Sequence, residues 1–142
     1  MSLAIKEFQG PFRWLSNFWP VQIRFSGIEY RSVENAYQAA KTEDDDIRLR
    51  ISAMTPSEAK RAGRRIKVRA DWEENKEAVM YYLVSEKFRD AHLKQLLLAT
   101  KDCELIEGNN WGDTFWGVCG GKGENRLGKI LMRVREEIRP IG

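Results

Sequence analysis

The sequence predicts an α+β fold: one compact, mainly helical domain over residues 1–142, with a few short strands near its N terminus. Three observations point there. The capping boxes Thr55-Pro56-Ser57-Glu58 and Asp71-Trp72-Glu73-Glu74 each open a helical stretch. Apolar residues recur at helical spacing, with Trp72, Val79, Met80, Leu83, Val84 and Phe88 in the longest stretch and Leu127, Ile130, Leu131, Val134 and Ile138 in the last. Ahead of both, residues 22–25 alternate polar and apolar side chains, as a half-buried strand does. A chain of 142 residues is long enough to bury a sizeable single core.

Taken in order, residues 5–30 read as short strands, with a turn at Gly10-Pro11 and another at Gly27 leading into Glu29-Tyr30. The ring-rich Phe12-Arg13-Trp14-Leu15-Ser16-Asn17-Phe18-Trp19-Pro20 is too irregular for one strand and is expected to plug the space beneath them. Ser16 and Asn17 are its polar exceptions. Ser32 is placed to cap a helix from residue 33 to about 42, packed through Ala36, Tyr37, Ala39 and Ala40. Glu34, Gln38 and Lys41 are spaced by four and then three, so they share a face of that helix. Asp44-Asp45-Asp46 opens a short helix whose first-turn charge suits acids, with a metal site the weaker reading. The Thr55 box leads a helix that stops at Gly63. Asp90 caps another that holds Leu93, Leu96 and Leu97, and Glu104-Leu105-Ile106 reads as a short strand.

Residues 107–125 show neither helical nor strand period, so they read as a loop. A loop of this length is functional or disordered. Disorder sits badly with Trp111, Phe115 and Trp116, whose burial favours order. The expectation is one wall of a site on which the Ser16-Asn17 turn, the Glu34 helix and a basic run converge. Asp113 reads either as an Asx turn or as an acid whose pKa is raised against indole. Trp111 and Trp116 either stack on a planar heterocycle or fill core. Gly120-Gly121-Lys122-Gly123 precedes the last helix, where free N–H groups and a lysine can hold phosphate, without the spacing of a P-loop.

Charge narrows the chemistry. The net charge is +3, but Lys60, Arg61, Arg64, Arg65, Lys67 and Arg69 fall in one run with no acid between them. That run attracts phosphates, nucleotides or nucleic acid, and reads equally well as a solvated helix face. One histidine (His92) and two cysteines (Cys103, Cys119) leave no disulfide framework and disfavour both zinc and Ser/His nucleophilic chemistry, so proton work falls to carboxylates. No apolar run is long enough for a bilayer and no leader pattern opens the chain, so no membrane association and a cytoplasmic location are expected.

Read together, the motifs carry more. Ser16-Asn17-Phe18-Trp19-Pro20, Ser32-Val33-Glu34, Tyr37-Gln38-Ala39, Lys41, Gly63-Arg64, Arg69-x-Asp71-Trp72-Glu73, Lys76, Lys87-Phe88, Trp111-Gly112-Asp113, Trp116-Gly117, Gly123 and Asn125-x-Leu127-Gly128 occur in this order. In that pattern the chain resembles the NADAR superfamily, in its YbiA-like branch of N-glycosidases, over nearly its whole length. The resemblance implies a mainly helical α+β domain that hydrolyses N-glycosidic bonds of phosphorylated ribose compounds, namely aminopyrimidine ribose phosphates of early riboflavin biosynthesis. The alternative it carries is an ADP-ribose-directed module that binds ADP-ribose or removes it from nucleobases. The family's motif glutamate falls on Glu34, its loop aspartate on Asp113 and its loop tryptophan on Trp116. Many members have histidine after that glutamate, where this chain has Asn35.

On this reading Glu34 faces the cation that develops at ribose C1′ or activates water, and Asp113 orients the sugar or protonates the leaving amine. Trp116, with Trp111 or Trp72, stacks on the base. Asn17, Gln38 and Asn125 supply hydrogen bonds, while Lys41, Arg64, Arg69 and Lys122 face the charged substrate and its phosphate. No metal or cofactor is called for.

Overall fold

A computed structural model describes residues 3–141. In chain order it contains β1 (Ala4–Ile5), a 3-10 helix (Gly10–Leu15), β2 (Ile23–Phe25), β3 (Ile28–Tyr30), α1 (Val33–Ala39), α2 (Asp45–Ser52), α3 (Pro56–Gly63), α4 (Trp72–Lys87), α5 (Ala91–Ala99), β4 (Glu104–Leu105), β5 (Gly108–Asn109), β6 (Val118–Cys119) and α6 (Arg126–Ile138). The class is α+β and mainly helical, as expected. The strands form three two-stranded ladders: β1–β4 and β5–β6 parallel, β2–β3 antiparallel. By contact the chain groups into two compact units, Asn17–Lys87 and the two flanking segments together.

Within Asn17–Lys87, α1 is the centre. All seven of its residues are buried, and α2, α3 and α4 each pack against it. The β2–β3 hairpin precedes it, with Ser26 (φ 49°) and Gly27 (φ 81°) at its turn. Paired positive φ values give the turn the twist that antiparallel strands need. Ser32 then caps α1 as expected, its Oγ accepting from the Asn35 N–H at 3.1 Å.

Asn35 braces this unit. It is wholly buried; its Nδ2 donates to the carbonyls of Ile51 (3.0 Å) and Met54 (2.9 Å), and its Oδ1 accepts from the Ser32 hydroxyl at 2.5 Å. One amide thus joins the start of α1 to the end of α2, as a second donor to the Ile51 carbonyl, which also accepts from the Met54 N–H at 3.1 Å. Asp44 Oδ1 caps α2 by accepting from the N–H groups of Asp46 (2.9 Å) and Ile47 (3.3 Å). The Thr55–Glu58 capping box is complete in both directions. Asp71 departs from expectation: its carboxylate turns to Arg69, which donates to it at 2.6 and 3.1 Å.

In the other unit, β1 and β4 pair Ala4 with Glu104 and Ile5 with Leu105, and α6 packs on β4 and α5. Asp90 caps α5 through the Leu93 N–H at 3.0 Å. Arg135 of α6, only 5 % exposed, donates to Thr100 Oγ1 (2.9 Å) and the Cys103 carbonyl (2.8 Å), and so ties the helix to the end of α5.

Three expectations need correction. The ring-rich stretch after Gly10 begins as a 3-10 helix, and of its rings Trp14 is buried while Phe12 and Phe18 are 36 and 37 % exposed. Proline near the start of that helix has a φ suited to a first helical turn and no N–H to give to a strand ladder. Helix α1 ends at Ala39, short of residue 42. The segment 107–125 contains strands β5 and β6, pairs too short to show a period. The strand expected at Glu104-Leu105-Ile106 is β4.

Replacing Asn35 by alanine removes the buried amide from the Ile51 and Met54 carbonyls, which keep only the Met54 N–H (3.1 Å) and Arg31 Nη1 (3.5 Å), and takes away the acceptor of the Ser32 hydroxyl. A loss of about 2–4 kcal/mol in unfolding free energy is expected, measured by urea denaturation. A change under about 0.5 kcal/mol, typical of surface sites, would mean the brace carries no load.

Candidate functional site

The expected polar face exists on α1. Glu34 is buried in the first turn, and its N–H donates to the Asn17 carbonyl at 3.0 Å. One turn on, Gln38 Nε2 donates to Glu34 Oε2 at 2.6 Å. The four-residue spacing brings the two side chains together along the helix. Gln38 is itself 5 % exposed, and its Oε1 is buried without a hydrogen-bond partner. That oxygen lies against Gly63 at the end of α3, where a Cβ would strike the Gln38 amide. Helix α3 thus offers bare backbone at the point where α1 needs room to hold its glutamate.

Lys41 follows α1, and its N–H donates to the Gln38 carbonyl at 3.2 Å. Its ammonium lies 5.6 Å from the Tyr37 ring centroid. Burial pulls the Lys41 pKa below the ordinary lysine value; Glu34 and Glu73 act against that, while Lys76 and Arg64 add to it. Lys41, Arg64, Lys76, Glu34 and Glu73 therefore occupy one electrostatic neighbourhood. Lys76 and Glu73, joined at 2.6 Å, were not assigned to it from sequence. The usable signal was Lys76 standing four residues after Trp72 on the same helix face. In sequence Gly63 reads as a helix stop and as part of the Gly63-Arg64 motif, and its contact with Gln38 carries no local signature.

The other candidates of this unit make contacts of their own. Trp72 is 5 % exposed and packs at a tilt on Tyr37, ring centroids 5.1 Å apart, so the indole is core. Arg69 is engaged by two acids, Asp71 at 2.6 Å and Glu43 at 3.3 Å. Asn17 presents its carbonyl to α1, and its Nδ2 reaches Met80 Sδ at 3.6 Å. The basic run divides across α3 and the turn after it: Lys60 lies 5.9 Å from the Phe18 ring and Arg64 acts on Lys41, while Arg61 and Arg65 line a groove on the other side.

In the flanking unit the loop organises itself. Asp113 Oδ1 accepts from the N–H groups of Phe115 (3.1 Å) and Trp116 (2.9 Å), the Asx-turn alternative for this residue. Asn109 Nδ2 donates to the Asp113 carbonyl at 2.9 Å. Phe115 and Trp116 meet edge to face at 4.8 Å, and Trp111 is 52 % exposed. Gly120 (φ 59°) and Gly121 (φ 80°) form a tight reverse turn, closed by reciprocal bonds between Cys119 and Lys122 at 2.8 and 3.1 Å. Those glycines meet a backbone requirement, and Lys122 stands exposed at the end of the turn.

The start of α6 is not a free anion site. The N–H groups of Arg126 and Leu127 donate to the carbonyls of Phe115 (3.1 Å) and Trp116 (2.9 Å). The expected phosphate cradle is therefore filled by the loop's own carbonyls. Asn125 (φ 51°) commits its side chain to backbone as well: Oδ1 accepts from the Glu107 N–H and Nδ2 donates to the Leu105 carbonyl, each at 2.9 Å.

A family model described as the NADAR domain matches residues 5–139. The N-glycosidase YbiA of Escherichia coli is 41 % identical over 130 residues, covering 87 % of this chain and 79 % of that protein. Its NMR structure matches with a TM-score of 0.84 at 36 % identity in the superposition, covering 97 % of this chain and 86 % of the other. An N-glycosidase of Nostoc punctiforme is 41 % identical, with 99 % of this chain and 95 % of that protein covered. A riboflavin biosynthesis protein of Vibrio vulnificus is 42 % identical over 132 residues, 88 % of this chain but 35 % of that protein. The chain spans about a third of the Vibrio protein. Among the described residues no helix is long and apolar enough to cross a membrane.

The contact between Gly63 and Gln38 gives a test that needs no substrate. Gly63→Ala is expected to cost about 1–3 kcal/mol by overpacking. In a urea-denaturation double-mutant cycle with Gln38→Ala, most of that cost should vanish. Additive losses would show that the two positions do not meet.

Proposed function

The chain belongs to the NADAR domain family, and on that premise we propose that it is an N-glycosidase hydrolysing phosphorylated ribosylamine compounds, with aminopyrimidine ribose phosphates as the substrate class. The enzyme class is that of relatives sharing about two fifths of their residues with it. The substrate class is suggested by the riboflavin-biosynthesis name of the Vibrio relative. The single observation that carries the reading is the buried Glu34 carboxylate held by Gln38 at 2.6 Å, with Lys41 and Arg64 in the same neighbourhood.

Breaking the C–N bond at C1′ leaves positive charge on the sugar and returns electrons to the leaving amine. A carboxylate facing C1′ binds the transition state more tightly than the neutral ground state, which is what lowers the barrier. Glu34 takes this role and accepts a proton from the attacking water; the departing nitrogen takes up one proton, so water is divided between ribose 5-phosphate and the free amine. Gln38 fixes the carboxylate along the helix axis, so little reorganisation is needed when charge develops. Lys41 and Arg64, with Lys76 beside them, hold the substrate phosphate. Phosphate is a better partner for Lys41 and Arg64 than for Arg69, which already has two carboxylates.

Glu34→Gln keeps size and hydrogen bonding but removes the charge. Release of ribose 5-phosphate from an aminopyrimidine ribose phosphate is expected to fall about a thousandfold with substrate binding retained. Turnover within a few-fold of the parent would remove Glu34 from the reaction. An ADP-ribose-directed activity would show instead as release of ADP-ribose from ADP-ribosylated guanine.

Lys41 adds a pH signature. A lysine with a lowered pKa is charged below that value and neutral above it, so phosphate affinity should fall as pH rises through a range below the ordinary lysine pKa. KM measured across alkaline pH should rise there. Lys41→Arg, charged throughout, should flatten that rise, and an identical profile in this variant would exclude Lys41 as its source.

A further inference from the structure

The flank of α3 that carries Arg61, with Arg65 in the turn that follows, borders a groove of about 500 Å³ against α2. Ile47, Ile51, Met54, Ala62 and Ile66 give it an aliphatic floor, and Arg50, Arg61, Arg65 and Lys67 surround it. Among the described residues none of these four cations has a carboxylate within ion-pair distance or a side-chain hydrogen bond. Other cations of the chain do: Arg69, Arg126 and Arg139 are each paired with an acid. The one acid in the groove lining, Glu58, is occupied in capping, its Oε1 accepting from the Thr55 N–H at 2.9 Å.

We infer that this groove is a second ligand site, for a small organic phosphate with an aliphatic body. Four unspent cations around a concave apolar floor ask for an anion that also brings something to bury. The volume lies within the range of small-molecule pockets. No aromatic ring lines the groove, so it lacks the stacking platforms on which single-stranded nucleic acid is held. The site is made of residues other than Glu34, Gln38 and Lys41, and it does not depend on the hydrolysis proposed above.

The test is a titration of the full chain, labelled at isoleucine methyls, with hexyl phosphate, inorganic phosphate and a single-stranded oligonucleotide. Hexyl phosphate should shift the methyls of Ile47, Ile51 and Ile66 saturably, with a Kd below about 1 mM. Inorganic phosphate should bind at least about tenfold more weakly, lacking the apolar part. The double variant Arg61→Gln, Arg65→Gln should weaken hexyl phosphate by about tenfold or more, whereas Arg133→Gln on α6 should leave it unchanged. The inference is overturned if the methyls do not move, or if they respond equally in the double variant. It is also overturned if inorganic phosphate matches hexyl phosphate, or if the oligonucleotide binds these residues more tightly than either.

Discussion

Helix α1 has no solvent side, and that constraint governs its polar residues. All seven residues from Val33 to Ala39 are buried, yet three of them carry carboxylate or amide groups. A buried polar group costs free energy unless it finds a partner, so each of these needs one supplied by the fold. Asn35 takes the carbonyls at the end of α2. Glu34 takes Gln38, four residues on, and Gln38 is given room by the bare backbone of Gly63. The result is a carboxylate held where its position is determined by packing and not by solvent. Such preorganisation is what a site needs if a charge is to meet a developing cation without rearrangement.

Asn35 gains meaning from the same constraint. Two amide N–H groups are spent on two carbonyls, and the amide oxygen accepts a hydroxyl. An imidazole has no second donor on one atom, so this brace is specific to the amide. At this position the chain uses a side chain to hold α1 and α2 together, next to the residue assigned to chemistry. The glycine-rich loop is governed differently. Its acids and amides, Asp113, Asn109 and Asn125, satisfy the loop's own backbone, and its carbonyls occupy the first N–H groups of α6. Order in this loop comes from hydrogen bonds more than from ring burial, since Trp111 remains half exposed.

What was legible in the sequence is what is encoded locally. Ser32, Asp44, Thr55 and Asp90 are caps because a short side chain reaches the next free N–H, and all four act so. The common face of Glu34 and Gln38 follows from helix geometry alone. What was illegible needed a partner from far along the chain. The Gly63 contact depends on how α3 lies on α1, and the fate of the α6 amides depends on carbonyls about ten residues away. Trp72 shows the same limit: its spacing marked both a core position and a stacking face, and only packing on Tyr37 distinguishes them. The basic run reads as one feature, but α3 and the turn after it send Arg61 and Arg65 to one side and Lys60 and Arg64 to the other.

The central claim is that the Glu34 carboxylate, aimed by Gln38, faces the anomeric carbon of a ribosylamine phosphate. The most direct measurement is a crystal structure of the charge-neutral Glu34 variant soaked with uncleaved substrate. The account predicts C1′ beside the side chain of residue 34, in contact or separated by one water, with the phosphate on Lys41 and Arg64. Substrate bound with C1′ remote from residue 34 would contradict it.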